Sequence, residues 1–460
     1  MAPRHNLIVI IADQLRRDAL GVYGDETAVT PQIDSLARRG AQFTRASSTY
    51  PVCVPFRFSL MTGEYAHSRF IPAIEWRMSP AERTIAHEFN DAGYHTAYFG
   101  KWHLYGGYGI LPGFGTRKAN RTPVPRQHRG GWQRFCAFEL STHLFDTVYF
   151  EDDDPTPKPV VGYQTDGVFA LAEEYLSSRG EGDDPFLCVI SVEPPHPPLI
   201  APERYMEEWS TRDIAFRGNV DHDMSYKPRG PQSETLLDDT RAYYAAIENL
   251  DDNVGRLMAR LAELGLDDTT NVVLLSDHGE MLGSHGMYDK QQPYEESVGI
   301  PLIVTGPSVP EGHVVELPTN TEDLYPTLLG LANLESSTEK PGQDLSPLIR
   351  GEASHDERDG VLLEFVAEFR PGRPYFEETW RAVRTADWKY VVLGGQDGGV
   401  PWLLFDLAND PLEQRNLVDD PTHVEDARRL HELLRGKLES TGDHYVLAPA
   451  WGLPGWNLWA

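Results

Sequence analysis

Three short apolar runs constrain this chain more than any other feature. They are Leu7-Ile-Val-Ile-Ile-Ala12, Phe186-Leu-Cys-Val-Ile-Ser-Val192 and Asn271-Val-Val-Leu-Leu-Ser276. Each is rich in β-branched residues and none alternates with polar positions, the pattern of strands covered on both faces. Each stops at a polar cluster: Asp13-Gln14, Glu193-Pro-Pro-His196 and Asp277-His278-Gly279. Helical patterns fill the intervals, over Thr165–Ser177 and over Leu237–Leu264, where Leu250, Val254, Leu257, Leu261 and Leu264 share one face. Alternating strands and helices predict an α/β fold with a large, mostly parallel or mixed sheet between helical layers. Ligand groups in such folds gather at the carboxyl ends of the strands, where all three polar clusters fall.

A chain of 460 residues with 40% hydrophobic content can support such a body plus an appendage. Composition turns polar near residue 335, and beyond 350 three runs (Val361–Phe365, Trp380–Arg384, Trp388–Leu393) read as antiparallel strands and Thr422–Leu438 as a helix. The division predicted is 1–350 for the α/β domain and 351–460 for a smaller C-terminal α+β subdomain. The tail from Tyr445 carries Trp451, Trp456 and Trp459, an apolar liability in water, and is expected to pack on its own chain or to form a homo-oligomer. Asp152-Asp-Asp154 reads as a solvated loop.

The net charge of −29 excludes a nucleic-acid partner, because there is no basic surface to displace counterions. It suits solubility, or attraction of a cationic substrate. No run approaches the ~20 apolar residues of a membrane span. The first run is too short for a signal peptide, which predicts a cytoplasmic protein without a membrane partner. Cys53, Cys136 and Cys188, the three cysteines, are too few for a disulfide framework.

Chemistry concentrates at Cys53-Val-Pro-Phe-Arg57. Pro55 suits the first helical turn, so Cys53 stands at a helix N-terminus that favours an anion, with Arg57 one turn on to brace negative charge. Asp13 and Asp277 end strands distant in sequence but adjacent at a sheet edge. With the amide oxygen of Gln14 they suit a hard divalent cation, and His278 adds a nitrogen that shifts the balance towards manganese.

Cys53-x-Pro55-x-Arg57 followed by Ser59-x-x-Thr62-Gly63 resembles the signature of the type I sulfatases, within the alkaline-phosphatase superfamily. Gly100-Lys-Trp-His103, Asp277-His278-Gly279 with Lys290 beyond it, and Phe405–Leu417 also resemble segments of that family, in the same order. The resemblance implies an alkaline-phosphatase-like fold and hydrolysis of an aryl or carbohydrate sulfate. It implies that a formylglycine-generating enzyme converts Cys53 to formylglycine, and that one divalent ion, calcium first with manganese or magnesium as alternatives, is held by Asp13, Gln14, residue 53, Asp277 and His278. By the same resemblance Arg57, Lys101 and Lys290 stabilise sulfate charge, His103 serves the nucleophile, and His196 protonates the leaving alcohol with Lys290 as its competitor. If Thr96–His103 is a strand, Lys101 and His103 share one face.

Two departures stand out: many relatives carry Asp where Gln14 stands and Asn where His278 stands. One lost anionic ligand should weaken the hold on a hard metal. Two other functions remain open. One is phosphonate monoester or phosphodiester hydrolysis by the same apparatus, and the other is a non-catalytic binding protein of the same fold. Trp76, Tyr105 and Tyr108 are candidate pocket walls, and His285 is given no role.

Overall fold

The computed structural model describes residues 4–74, 76–106, 116–180, 182–353, 358–367, 379–395 and 398–447. Ten strands form one sheet: β1 (Asn6–Asp13), β2 (Gly40–Phe43), β3 (His95–Lys101), β4 (Arg134–Phe138), β5 (Val148–Glu151), β6 (Asp154–Pro159), β7 (Phe186–Pro195), β8 (Thr270–Ser276), β9 (Leu302–Thr305) and β10 (His313–Val315). Their spatial order is β10-β2-β9-β8-β1-β7-β3-β4-β5-β6. The central five, β8-β1-β7-β3-β4, are all parallel, while β9, β5 and β6 run antiparallel to their neighbours. The sheet is therefore mixed, with its parallel core where the apolar runs placed it.

Both faces of β1 are covered, which is why its sequence does not alternate. Leu7, Val9 and Ile11 enter one core layer, with helices Cys53–Thr62 and Thr321–Leu331. Ile8, Ile10 and Ala12 enter the other, with helices Gln164–Ser177 and Leu236–Glu263. Burying each such side chain contributes roughly 1.5–3 kcal/mol, so the central strands pin the sheet and fix where their carboxyl ends lie.

A second, antiparallel sheet has the order β11-β12-β13-β14 (Val361–Phe365, Trp380–Arg384, Trp388–Leu393, Val400–Asp406). β14 is an addition to the three strands read from the sequence. Leu362, Val383, Tyr390 and Leu404 face helix Val424–Thr441. Leu363, Trp380, Ala382 and Phe405 face the first core layer of the main body. One buried cation fastens this second face: the Lys389 Nζ lies 2.9 Å from Glu295, 2.7 Å from Glu413 and 2.8 Å from the Pro293 carbonyl. His67 makes a second link, with Nδ1 2.5 Å from Glu364 of β11 and Nε2 3.3 Å from the Thr441 carbonyl.

Asp152 to Asp154 form a tight turn between β5 and β6 rather than a free loop. Asp152 pairs with Arg134 at 2.6 Å, and Asp153 with Arg126 and Arg129 at 2.9 and 3.0 Å. Trp451, Trp456 and Trp459 lie outside the described residues, so the expectation for the tail has no structural counterpart. Among the described residues no helix is long and apolar enough to cross a membrane.

Candidate active site

The site is built on the carboxyl ends of β8, β1, β7 and β3. Asp13 ends β1 at a register shift, which turns its carboxylate out of the strand ladder. Gln14 follows with a left-handed φ of 66° and donates its backbone N–H to Asp277 Oδ1 at 3.0 Å. Opposite them lies helix Cys53–Thr62, which is buried along its whole length and has Cys53 as its first residue. Gly63 closes it in the left-handed region, φ 70°, as a helix C-terminus commonly requires.

Cys53 Sγ lies 3.2 Å from His278 Nε2, 3.2 Å from Lys290 Nζ and 3.6 Å from Asp13 Oδ1. One potential ligand atom from each of Asp13, Cys53, Asp277 and His278 can be chosen so that all lie within 4.8 Å of one another. The ring orientation of His278 agrees with a ligand role. Its Nδ1 is 3.0 Å from the Gly279 carbonyl, a contact that takes the ring proton and leaves the Nε2 lone pair facing Cys53.

Three buried cations surround this cluster. Arg57 places one guanidinium nitrogen 3.1 Å from Asp13 and 3.2 Å from Asp277, and another 2.8 Å from Ser191 Oγ. Lys101 Nζ bridges Asp13 at 2.7 Å and Glu193 at 3.0 Å. Lys290 Nζ donates to Gln14 Oε1 at 2.9 Å as well as to the Cys53 sulfur. These fields separate the two metal-side carboxylates. Burial raises both, but Lys101, Lys290 and Arg57 hold Asp13 well below the usual range. Asp277 is pushed up to about 7 by burial and by the charge of Asp13. Burial and Asp13 also push the Cys53 thiol up to about 12, so the unmodified side chain is a neutral thiol.

The histidines behave differently from one another. His103 does not lie in a strand: β3 ends at Lys101, and His103 turns away with φ 54°. The alternation argument for Lys101 and His103 therefore fails, and Trp102 between them is buried in the core. His103 is buried, and both its ring nitrogens are without a partner among the described residues. Burial, Lys101 and Arg57 keep it neutral. His196 has Nδ1 2.7 Å from the Pro197 carbonyl, and burial and Lys290 lower it to about 3. In this state it presents a lone pair, not a proton.

The ten residues singled out in the sequence thus converge on one strand-end cluster. Three neighbours escaped that reading. Glu193 holds Lys101, Ser191 holds Arg57, and Glu280 holds Gln14. Glu193 sat in a quoted polar cluster and Glu280 three residues past Asp277, so position was their only signal. His285 stands apart, stacked on Tyr294 at 4.0 Å and 3.1 Å from Asn219. Arg77 covers Tyr105 at 4.5 Å, and the Tyr105 N–H is held by Glu139, so this pair lines the segment just after His103. Tyr108 lies outside the described residues.

Comparison with known proteins agrees with this geometry. The Sulfatase family model matches residues 5–334, and the model for the C-terminal part of N-sulphoglucosamine sulphohydrolase matches residues 283–440. An ulvan-active sulfatase from Formosa agariphila is 32% identical over 445 residues, covering 96% of this chain and 82% of the relative. The solved structure of yidJ from Bacteroides fragilis, assigned there as a sulfatase, is 28% identical with a TM-score of 0.84, covering 96% of this chain and 97% of that one. Phosphonate monoester hydrolase from Silicibacter pomeroyi is 25% identical with a TM-score of 0.75, covering 96% of each chain. With its strand-end cluster of carboxylates, histidine and cysteine, and with a family model spanning most of its length, the chain belongs to the sulfatase family of sulfuric ester hydrolases.

Proposed function

We propose that the protein hydrolyses a sulfate ester of a carbohydrate or aryl alcohol, with Cys53 converted to formylglycine. The observation that carries this reading is the placement of Cys53: one side chain meets the metal-type cluster on one side and the Lys290 ammonium on the other. A neutral thiol with a pKa near 12 is a poor nucleophile and a poor partner for so many charged groups. Oxygen at this position would hydrogen-bond to the same surroundings, which is the sense in which the site fits the modification.

Asp13, Gln14, Asp277, His278 and an oxygen at residue 53 would hold a divalent ion, calcium first and manganese or magnesium as alternatives, which would supply Lewis acidity and lower the pKa of a bound hydroxyl. Formylglycine, made by a separate maturating enzyme, supplies as its hydrate one hydroxyl for attack on sulfur and a second whose deprotonation releases sulfate. The chain's own residues do the rest. Arg57 fixes both carboxylates with one nitrogen and so sets the metal face. Arg57, Lys101 and Lys290 would present positive charge to the sulfate oxygens from largely buried positions. His103, neutral and unpartnered, can accept a proton at residue 53. His196 gains basicity once an anionic ester lies before it, and can then carry a proton to the leaving oxygen.

The test is the mass of the peptide containing residue 53, from protein made in its own host or beside a formylglycine-generating enzyme. Conversion gives a peptide about 18 Da lighter than the thiol form, distinct from the heavier sulfinic and sulfonic acids. Full turnover by protein whose Cys53 remains a thiol sinks the reading. The likeness to a phosphonate monoester hydrolase supports a second reading, since another tetrahedral anion meets the same charges. The ratio of kcat/KM on an aryl sulfate to that on an aryl phosphodiester decides between them.

A further inference from the structure

The Gln14 amide has two chemically different ends that must be told apart. The oxygen accepts from Lys290 Nζ at 2.9 Å. The nitrogen donates to Glu280 Oε2. Glu280 is 2% exposed, and its other oxygen accepts two backbone N–H groups, from Leu282 at 3.0 Å and Asp289 at 2.7 Å. Backbone N–H groups cannot reverse their polarity, so Oε1 is committed as an acceptor, and the ionised carboxylate offers Gln14 an acceptor at Oε2. Four non-glycine residues around it have left-handed backbones: Gln14, Leu282, Asp289 and Gln291, with φ of 66°, 43°, 67° and 78°. Such conformations persist only where the surroundings over-determine them, and three hydrogen bonds to one carboxylate provide part of that constraint.

We infer that Glu280 is a positioning residue for the site: it fixes the Gln14 amide with its oxygen towards Lys290 and the Asp13–Cys53–Asp277–His278 cluster, and it holds the segment that carries Lys290. The inference rests on the reading that this cluster binds a divalent ion. It also places a carboxylate behind the neutral Gln14 side chain. The negative charge is present, one hydrogen bond further from the cluster, and reaches it through a polarised amide.

An exchange of the two side chains tests this. In E280Q the new amide must keep its oxygen for Leu282 and Asp289, so its NH2 group faces Gln14. The Gln14 amide then turns over and points its own NH2 at the Lys290 ammonium, donor against donor. In Q14E two carboxylates confront each other. In the Q14E/E280Q exchange the hydrogen-bond order is restored, because the carboxylate now at position 14 accepts both from the amide now at position 280 and from Lys290. Mn2+ titration of the chelator-treated full-length protein, followed by electron paramagnetic resonance, reads the site without relying on turnover.

E280Q is expected to weaken Mn2+ binding by roughly 10–100-fold, the usual cost of removing a partner behind a metal ligand. The kcat on an aryl sulfate falls alongside, with the thermal unfolding curve near wild type. The exchange restores most of both. Wild-type Mn2+ affinity in E280Q, or an exchange no better than E280Q alone, overturns the inference. If wild-type protein binds Mn2+ and shows the expected E280Q loss yet hydrolyses no sulfate ester, the positioning role stands and the sulfatase reading falls.

Discussion

Lys101 and Lys389 are both wholly buried, and each lies between two carboxylates, yet their surroundings are opposites. Around Lys389 the chain supplies the opposing charges itself: the ammonium is hydrogen-bonded to the Pro293 carbonyl and ion-paired with Glu295 Oε1 and Glu413 Oε1, and Arg384 Nε, 3.5 Å from the same Glu295 oxygen, faces that cluster too. Around Lys101 hydrogen-bonding capacity is left over. Arg57 Nε and both nitrogens of His103 have no partner among the described residues. A saturated charge cluster is a fastener. An unsaturated one, at nearly the same burial, is a place where a ligand completes the pairing, since buried polar groups rarely remain single.

That contrast can be broken by substitution. The largest effect is expected at the nucleophile: Cys53→Ala should lower kcat by more than about 10³-fold, as removal of a covalent nucleophile does elsewhere, with the unfolding transition unchanged. Retention of more than a few per cent of turnover would remove Cys53 from the chemistry. Lys101→Met comes next, with a loss of roughly 10²–10³ in kcat/KM accompanied by a loss of stability, because Arg57 still compensates Asp13 but Glu193 is left without its cation. Lys389→Met should lower stability without touching the chemistry. It leaves Glu413 without its cation, while Glu295 keeps Arg17 at 3.1 Å and Arg384 at 3.5 Å. It costs about 3–5 kcal/mol in denaturant unfolding, while activity per folded molecule stays near wild type. Equal effects on activity and stability in both variants would erase the distinction.

The smallest effect concerns the second fastener. Against the pull of burial, Glu364 and then Asp443 raise His67 to about 9. A histidine raised in the folded state contributes its stability fully below its unfolded pKa of about 6.5 and loses it as pH climbs through 9. The contribution, about 3 kcal/mol, should therefore disappear between pH 6.5 and 9. His67→Gln should flatten that part of the stability–pH curve, and an unchanged slope in the variant would show that His67 is not the titrating group.

What could be read from the sequence follows from range. Strand cores were legible because burial on both faces forces continuous apolar runs, so β1, β7 and β8 were placed within a few residues of their bounds. The start of the helix that carries Cys53 was legible from Pro55, while its end at Gly63 was not read. β14 was not, because Pro401 and Asp406 disguise its ends. His103 was assigned a face by strand alternation, but the strand stops two residues earlier. Glu280 could not be paired with Gln14 by any local rule, as 266 residues separate them. Lys290 was found by its distance past Asp277, yet its contact with Cys53 spans 237 residues.

That last separation has a consequence for how the protein is made. The groups that seal Cys53 in, His278 and Lys290, leave the ribosome 225 and 237 residues after it. At ~5–20 residues per second the interval is on the order of tens of seconds. Throughout it, the segment around residue 53 has a helix sequence but no roof. In the finished fold the thiol is completely inaccessible. An enzyme that modifies residue 53 would therefore find it unroofed on the nascent chain, before His278 and Lys290 close over it.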